Sequence, residues 1–267
     1  MAVVQANGIR MHVQRMAARN TTAANPPTVV FIHGIGTDSL ASFYFTLAGP
    51  VAAAGHQVVA YDLRGHGRSE RTENGYRVAD SVADLAALLD ELEIAGPVHL
   101  VGNSFGGTVS FSFAATFPER VASLVVIESE PTSDEWSAKM GSLLGRARAQ
   151  LQHAEALEWI TENRGGHTSK LAKAAGRMLH TTAIADELPT GPILTAEQVG
   201  AIGVPVLAVF GSESDLVEQA PILEAALPHC RTVIVPGQEH SVLVEAPKVM
   251  RELLLDWLTE HGAKVAV

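Results

Sequence analysis

A serine between glycines and a histidine 136 residues downstream are the side chains of this chain best suited to nucleophilic chemistry. Gly102, Ser104 and Gly106 form a Gly-x-Ser-x-Gly pattern. An apolar run, Pro97–Val101, precedes it, and a segment of helical character, Thr108–Phe117, follows. Between a strand and a helix this pattern makes a turn so tight that a Cβ on either flanking residue collides with its surroundings, and the serine Oγ is pushed out beyond the sheet. A serine hydroxyl is a poor nucleophile at neutral pH. It needs a base within hydrogen-bond reach, a group that orients the base, and donors for a developing oxyanion. His240, in Pro236-Gly237-Gln238-Glu239-His240, is the expected base. His33 and His66 belong to other motifs, and His153, His167 and His180 fall in a helical region. The expected oxyanion donors are the backbone N–H of Phe105, at the amino end of the helix that follows the serine, and that of Ile35, in His33-Gly34-Ile35-Gly36. Gly34 is expected beside the substrate.

Positioning these groups requires a sheet with its loops at one rim. Val3–Val13 reads as a hairpin about Asn7-Gly8. Thr28–Ile32, Gln57–Tyr61, Val98–Val101, Ala122–Ile127, Val204–Phe210 and Arg231–Val235 read as further strands, the first of them a continuous β-branched and apolar run suited to burial on both faces. Helices are expected over 40–54, capped by Asp38 or Ser39, and over 78–94, 220–227 and 247–261. Thr195-Ala196-Glu197-Gln198 reads as a capping box. Strands alternating with helices imply an α/β architecture, a mostly parallel eight-stranded sheet covered on both faces. From Thr132 to about Thr190 the strand pattern stops and apolar residues take helical spacings, interrupted at Gly165-Gly166. The expected organisation is a core of residues 1–130 and 201–267 with a helical cap, residues 131–200, inserted between two strands. Trp136, Met140, Leu143, Trp159 and Met178 are its candidates for lining a substrate pocket, with packing inside the cap as the competing role.

Composition narrows the function. The chain has 267 residues, 47% of them hydrophobic and 18% charged, and a formal net charge of −10. That charge argues against nucleic acid or an anionic membrane as partner. No apolar run approaches the length of a membrane span, and the amino terminus lacks the basic head and apolar core of a secretion signal, so a cytoplasmic location is expected. One cysteine, Cys230, excludes an internal disulfide and a cysteine-based metal cluster. No metal or cofactor is expected. The expected partner is a small-molecule substrate, with a homodimer as the one assembly left open.

The chain resembles the α/β-hydrolase fold family over almost its whole length. The resemblance rests on His33-Gly34-Ile35-Gly36, on Asp62-Leu63-Arg64-Gly65-His66-Gly67-Arg68-Ser69, on Gly102-Asn103-Ser104-Phe105-Gly106-Gly107 and on the His240 segment. It implies a mainly structural role for the Asp62–Ser69 loop. It also implies an acid three residues beyond the glycine that ends the seventh strand. That glycine is Gly211, and the third residue after it is Ser214; Asp215 comes one residue late. Other members carry the acid after the sixth strand, where Glu128 stands, followed by Ser129-Glu130. In length and in the place of its acid the chain is similar to fungal zearalenone-type lactonases, which lack the later aspartate. Glu128 is the preferred acid, Asp215 the alternative and Glu130 the third. The expected function is hydrolysis of a carboxylic ester or lactone of a largely apolar small molecule through an acyl-enzyme on Ser104. Carbon–carbon bond hydrolysis and cofactor-free perhydrolysis on the same residues are alternatives, and a small-molecule receptor that retains the three residues is an alternative of another class.

Overall fold

A computed structural model describes residues 2–262. Strands β1 (Ala2–Ala6) and β2 (Ile9–Met16) form the expected hairpin, with Asn7 and Gly8 both at positive φ, as a two-residue hairpin turn requires. They are followed by β3 (Thr28–Ile32), β4 (Gln57–Tyr61), β5 (Val98–Asn103), β6 (Val121–Ile127), β7 (Val206–Gly211) and β8 (Cys230–Val235). The sheet order is β1-β2-β4-β3-β5-β6-β7-β8, antiparallel from β1 to β4 and parallel from β4 onward. The order reverses at β3, which has β4 on one side and β5 on the other. Loops leaving the carboxyl ends of β3 and β5 therefore diverge and open a crevice, the position at which open α/β sheets bind ligands. His33–Gly36 leaves β3 and Ser104 follows β5.

The central strands alternate between two buried faces. Val30, Ile32, Leu100, Leu124, Val126 and Phe210 point into one apolar cluster. Val29, Phe31, Val101, Val125, Ile127 and Val209 point into the other. Helices α3 (Val78–Glu91), α4 (Phe105–Thr116) and α9 (Gln219–Ala226) contribute to the first cluster. The second is closed by α10 (Val242–Glu245), by α11 (Pro247–His261) and by the segment after β3.

That segment departs from the expected single helix. It consists of α1 (Ala41–Phe43), a π-helical turn at Tyr44–Ala48, and α2 (Gly49–Ala53). Pro50 has no N–H to donate to the carbonyl four residues back, and the wider turn just before it accommodates the break. Neither Asp38 nor Ser39 is the cap; Leu40 occupies that position without a side-chain bond. Asp38 turns instead toward the crevice.

Between β6 and β7 the described residues form helices and no strand: α5 (Asp134–Gln150), α6 (Ala154–Thr181), α7 (Ile184–Glu187) and α8 (Ala196–Gly200). Ser133 caps α5 and Thr195 with Gln198 caps α8. Helix α6 kinks at Gly165, which has φ 85° and ψ 160°. No helix among the described residues is long and apolar enough to cross a membrane.

Candidate active site

Ser104 sits between β5 and α4 with φ 51° and ψ −118°, a conformation that non-glycine residues seldom adopt. Its amide is tied to the Ile127 carbonyl of the neighbouring strand at 2.8 Å. The flanking glycines make the turn possible. A Cβ on Gly102 would run into the Gly106 backbone, and one on Gly106 into the Ile32 carbonyl. Helix α4 begins at Phe105, three residues earlier than its apolar pattern suggests, so its amino terminus lies directly against the serine.

The loop after β8 delivers His240, whose Nε2 lies 3.0 Å from Ser104 Oγ. With Nδ1 protonated, Nε2 can accept the serine proton. Two carboxylates approach Nδ1. Glu128 Oε2 stands at 3.4 Å and Asp215 Oδ1 at 3.9 Å. Their settings are opposite: 1% of the Glu128 side chain is exposed against 75% for Asp215. Glu128 follows β6 with φ 51°, and the side chain of this left-handed residue reaches the end of β7 and the loop after it. There the Gly211 N–H donates to Oε1 and the Ser214 hydroxyl to Oε2. Ser214 is 5% exposed. Its Oγ also accepts the Leu216 N–H at 3.1 Å, which fixes the hydroxyl's direction. The residue at the usual acid position thus supplies a donor to a carboxylate that comes from the adjacent strand. Sequence reasoning did not find this role for Ser214, although a polar side chain three residues past Gly211 was its signal. Glu130 pairs instead with Lys139 Nζ at 2.6 Å.

Among the described residues, neither the Ile35 nor the Phe105 N–H is taken up by a backbone or side-chain acceptor, and both residues line the cavity over Ser104. The loop that carries Ile35 is fixed by two buried histidines. His33 Nε2 accepts the Leu63 N–H at 2.9 Å, and its Nδ1–H donates to Gly34 O at 2.6 Å. His66 Nε2 accepts the Gly36 N–H at 2.9 Å, and its Nδ1–H donates to Arg64 O at 2.9 Å. Both roles need a neutral ring. Burial lowers the pKa of His33, and burial together with His33 lowers that of His66 to about 4. The remainder of the Asp62–Ser69 loop is tied down in the same way. Asp62 accepts from the Leu40 and Arg68 amides and from His12, and Arg64 makes a bidentate pair with Asp84.

The cavity over Ser104 has a volume of about 340 Å³. Helix α5 supplies Trp136, Met140 and Leu143 as one wall, positions spaced for a single helix face, and the Trp136 ring stacks on Phe105. Two expected lining residues are elsewhere. Trp159 lies on α6 before the Gly165 kink and is 56% exposed. Met178 is buried with its sulfur beside Gly65. Helical spacing identifies an apolar face but not the neighbour that face meets. Gly34 is also outside the lining; its N–H is held by Asp38 at 2.7 Å, so it braces the Ile35 loop. A larger hollow of about 630 Å³, beside Pro97, Pro205 and Cys230, opens at the opposite rim of the sheet, away from Ser104.

Residues 27–156 match the model of the alpha/beta hydrolase fold family. A 2-(acetamidomethylene)succinate hydrolase of Mesorhizobium japonicum is 26% identical, over 93% of this chain and 94% of its own. A 2-hydroxy-6-oxo-2,4-heptadienoate hydrolase of Pseudomonas putida is 31% identical over 64% of this chain and 59% of its own. Among solved structures, an enol-lactonase from Burkholderia xenovorans superposes with a TM-score of 0.68 at 22% identity, covering 97% of this chain and 100% of the other. A thermophilic esterase from Thermogutta terrifontis superposes with a TM-score of 0.75 at 18% identity, covering 98% and 99%. At such identities the structural likeness establishes the fold alone.

Proposed function

The chain is a hydrolase of the α/β-hydrolase fold superfamily, and from this premise we propose that it cleaves a carboxylic ester or lactone of a small, largely apolar molecule through an acyl-enzyme on Ser104. The observation that carries this reading is the chain of contacts Ser104 Oγ–His240 Nε2 at 3.0 Å and His240 Nδ1–Glu128 Oε2 at 3.4 Å. In this mechanism His240 takes the hydroxyl proton as Ser104 attacks the carbonyl. The Ile35 and Phe105 N–H groups receive the negative oxygen of the tetrahedral intermediate. His240 then returns the proton to the leaving alkoxide, and a water repeats the sequence to release the acid. Glu128 stabilises the imidazolium and holds the productive tautomer. The long Glu128–His240 separation suits a resting enzyme, since such bonds tighten as charge develops on the ring.

The wall of Trp136, Met140, Leu143 and Leu216 supports an apolar substrate, and the cavity volume falls within the range of small-molecule sites. Helices α5 to α7 then act as the cap over the serine. The same residues serve carbon–carbon hydrolysis. The likeness to the 2-hydroxy-6-oxo-2,4-heptadienoate hydrolase of Pseudomonas putida favours this as the second reading. A panel of p-nitrophenyl esters, macrolactones and a vinylogous 1,5-diketone, assayed with wild type and Ser104→Ala, separates the two. Ester or lactone turnover that vanishes in Ser104→Ala supports the first reading. Turnover confined to the diketone supports the second, and equal inactivity of both proteins on every substrate contradicts both.

A further inference from the structure

One wall of the cavity carries a carboxylate that the reaction above does not use. Glu130 lines the cavity, and the residue is only 7% exposed. Its Oε1 accepts from Lys139 Nζ at 2.6 Å. Its Oε2 meets no donor among the described residues, yet it is not among the polar atoms sealed from solvent. The backbone around it is fixed, because the Glu130 carbonyl accepts from Thr108 Oγ1 at 2.8 Å. Thr108 and Ser129 also line the cavity, both buried, with their hydroxyls 3.4 Å from one another.

We propose that Glu130 is a specificity-determining residue whose Oε2 accepts a hydrogen bond from a hydroxyl or amide N–H of the substrate, so that the preferred esters or lactones carry such a donor rather than plain hydrocarbon. This rests on the assignment of the cavity as the substrate site. In the free protein water can satisfy Oε2. A hydrocarbon that fills the cavity displaces that water and leaves a buried carboxylate oxygen without a partner, which is costly. A substrate donor replaces the water's bond and avoids the loss. Sites built to hydrogen-bond a substrate discriminate strongly against analogues that lack the group. Lys139, itself in the cavity lining and 41% exposed, holds the other oxygen at 2.6 Å, and the Glu130 side chain is only 9% exposed, so the carboxylate has little water to turn to. Trp136, Met140 and Leu143 on the facing helix give the same cavity an apolar side, so it combines a place for a hydrocarbon body with one acceptor for a polar substituent.

The test compares matched p-nitrophenyl esters: 3-phenylpropanoate with 3-(4-hydroxyphenyl)propanoate, and hexanoate with its amide analogue, N-acetyl-β-alaninate. The readout is the ratio of kcat/KM within each pair, for wild type, Glu130→Gln and Glu130→Leu. The wild type is expected to favour the donor-bearing member of a pair by roughly tenfold or more. Glu130→Gln, which retains a carbonyl acceptor, should keep part of that ratio, and Glu130→Leu should bring it close to one. No preference in either pair, a preference that survives Glu130→Leu, or an equal loss on both members would overturn the proposal; equal loss would mean that Glu130 only ties the loop to α5. A second measurement does not depend on turnover. Calorimetric binding of 3-phenylpropanamide and 3-(4-hydroxyphenyl)propanamide to Ser104→Ala protein, with and without Glu130→Leu, should show the same preference and the same loss. If hydrolysis proves independent of Ser104, the reaction proposed above fails while the binding comparison still decides the role of Glu130.

Discussion

Glu128 is gripped at both oxygens, by the Gly211 N–H and the Ser214 hydroxyl, while three quarters of the Asp215 side chain lies in water. A carboxylate that must stabilise a transient imidazolium acts best when buried and already oriented. Replacing Glu128 by Gln should therefore lower kcat by roughly 10³-fold with little change in KM, while Asp215→Asn should stay within about threefold of wild type. Steady-state kinetics on one p-nitrophenyl ester decides the matter, and a larger loss in Asp215→Asn would transfer the acid role to the exposed residue. Ser214→Ala removes one of the two restraints on Glu128. It should lower kcat by about tenfold with little change in KM, because a carboxylate relieved of one donor is held less firmly against the ring. The meeting of Ser104 and His240 was legible in the sequence, because a serine in a glycine turn after a strand and a histidine after the last strand both fall at the carboxyl rim of a parallel sheet. For the proposed acid a preference for Glu128 was legible, through the one-residue offset of Asp215 after Gly211 and the resemblance to zearalenone-type lactonases, but not the φ of 51° that turns Glu128 inward, which neither composition nor spacing encodes.

Among the elements, the turn between β5 and α4 is the most tightly specified. Gly106 faces the Ile32 carbonyl, a backbone atom that cannot give way as a side chain can. Gly106→Ala should cost about 3 kcal/mol, or roughly 6–12 °C in Tm, measurable by calorimetry. An unchanged Tm would mean that the turn tolerates a Cβ and that the glycine pattern has another origin. The loop after β3 depends on His66 through its bond to the Gly36 N–H. His66→Ala should therefore reduce kcat more than it raises KM, since Ile35 would lose its support. Strand positions were legible to within three residues, because β-branched and apolar runs bounded by Gly and Pro leave little choice. The π-helical turn before Pro50 and the outward placement of Trp159 were not, since each is decided by a break inside a helix and by what lies beyond it.

At the scale of the whole molecule, buried neutral histidines make the fold sensitive to acid. Burial holds His99 at a pKa of about 4, with His56 and His261 nearby adding to the effect, and His66 is lowered to about 4 as well. Each ring binds a proton more readily in the unfolded chain, where its pKa is about 6.5. Stability contributed by these rings is complete above pH 6.5 and is lost progressively as pH falls toward 4, by on the order of 2 kcal/mol per ring at pH 5. Denaturant midpoints should fall between pH 7 and pH 5, and replacing His99 by Gln should flatten that slope; a midpoint independent of pH would show that the rings are already charged in the fold. The proposed chemistry depends on segments that are distant in the chain meeting where the sheet order reverses: the loop after β3, the turn after β5, the residue after β6 and the loop after β8. The most direct measurement of that convergence is the intact and peptide mass of the protein after treatment with a fluorophosphonate. The expected result is one adduct per chain, on Ser104, formed at a rate that collapses in His240→Gln. An adduct at another residue, or none while ester hydrolysis continues, would contradict it.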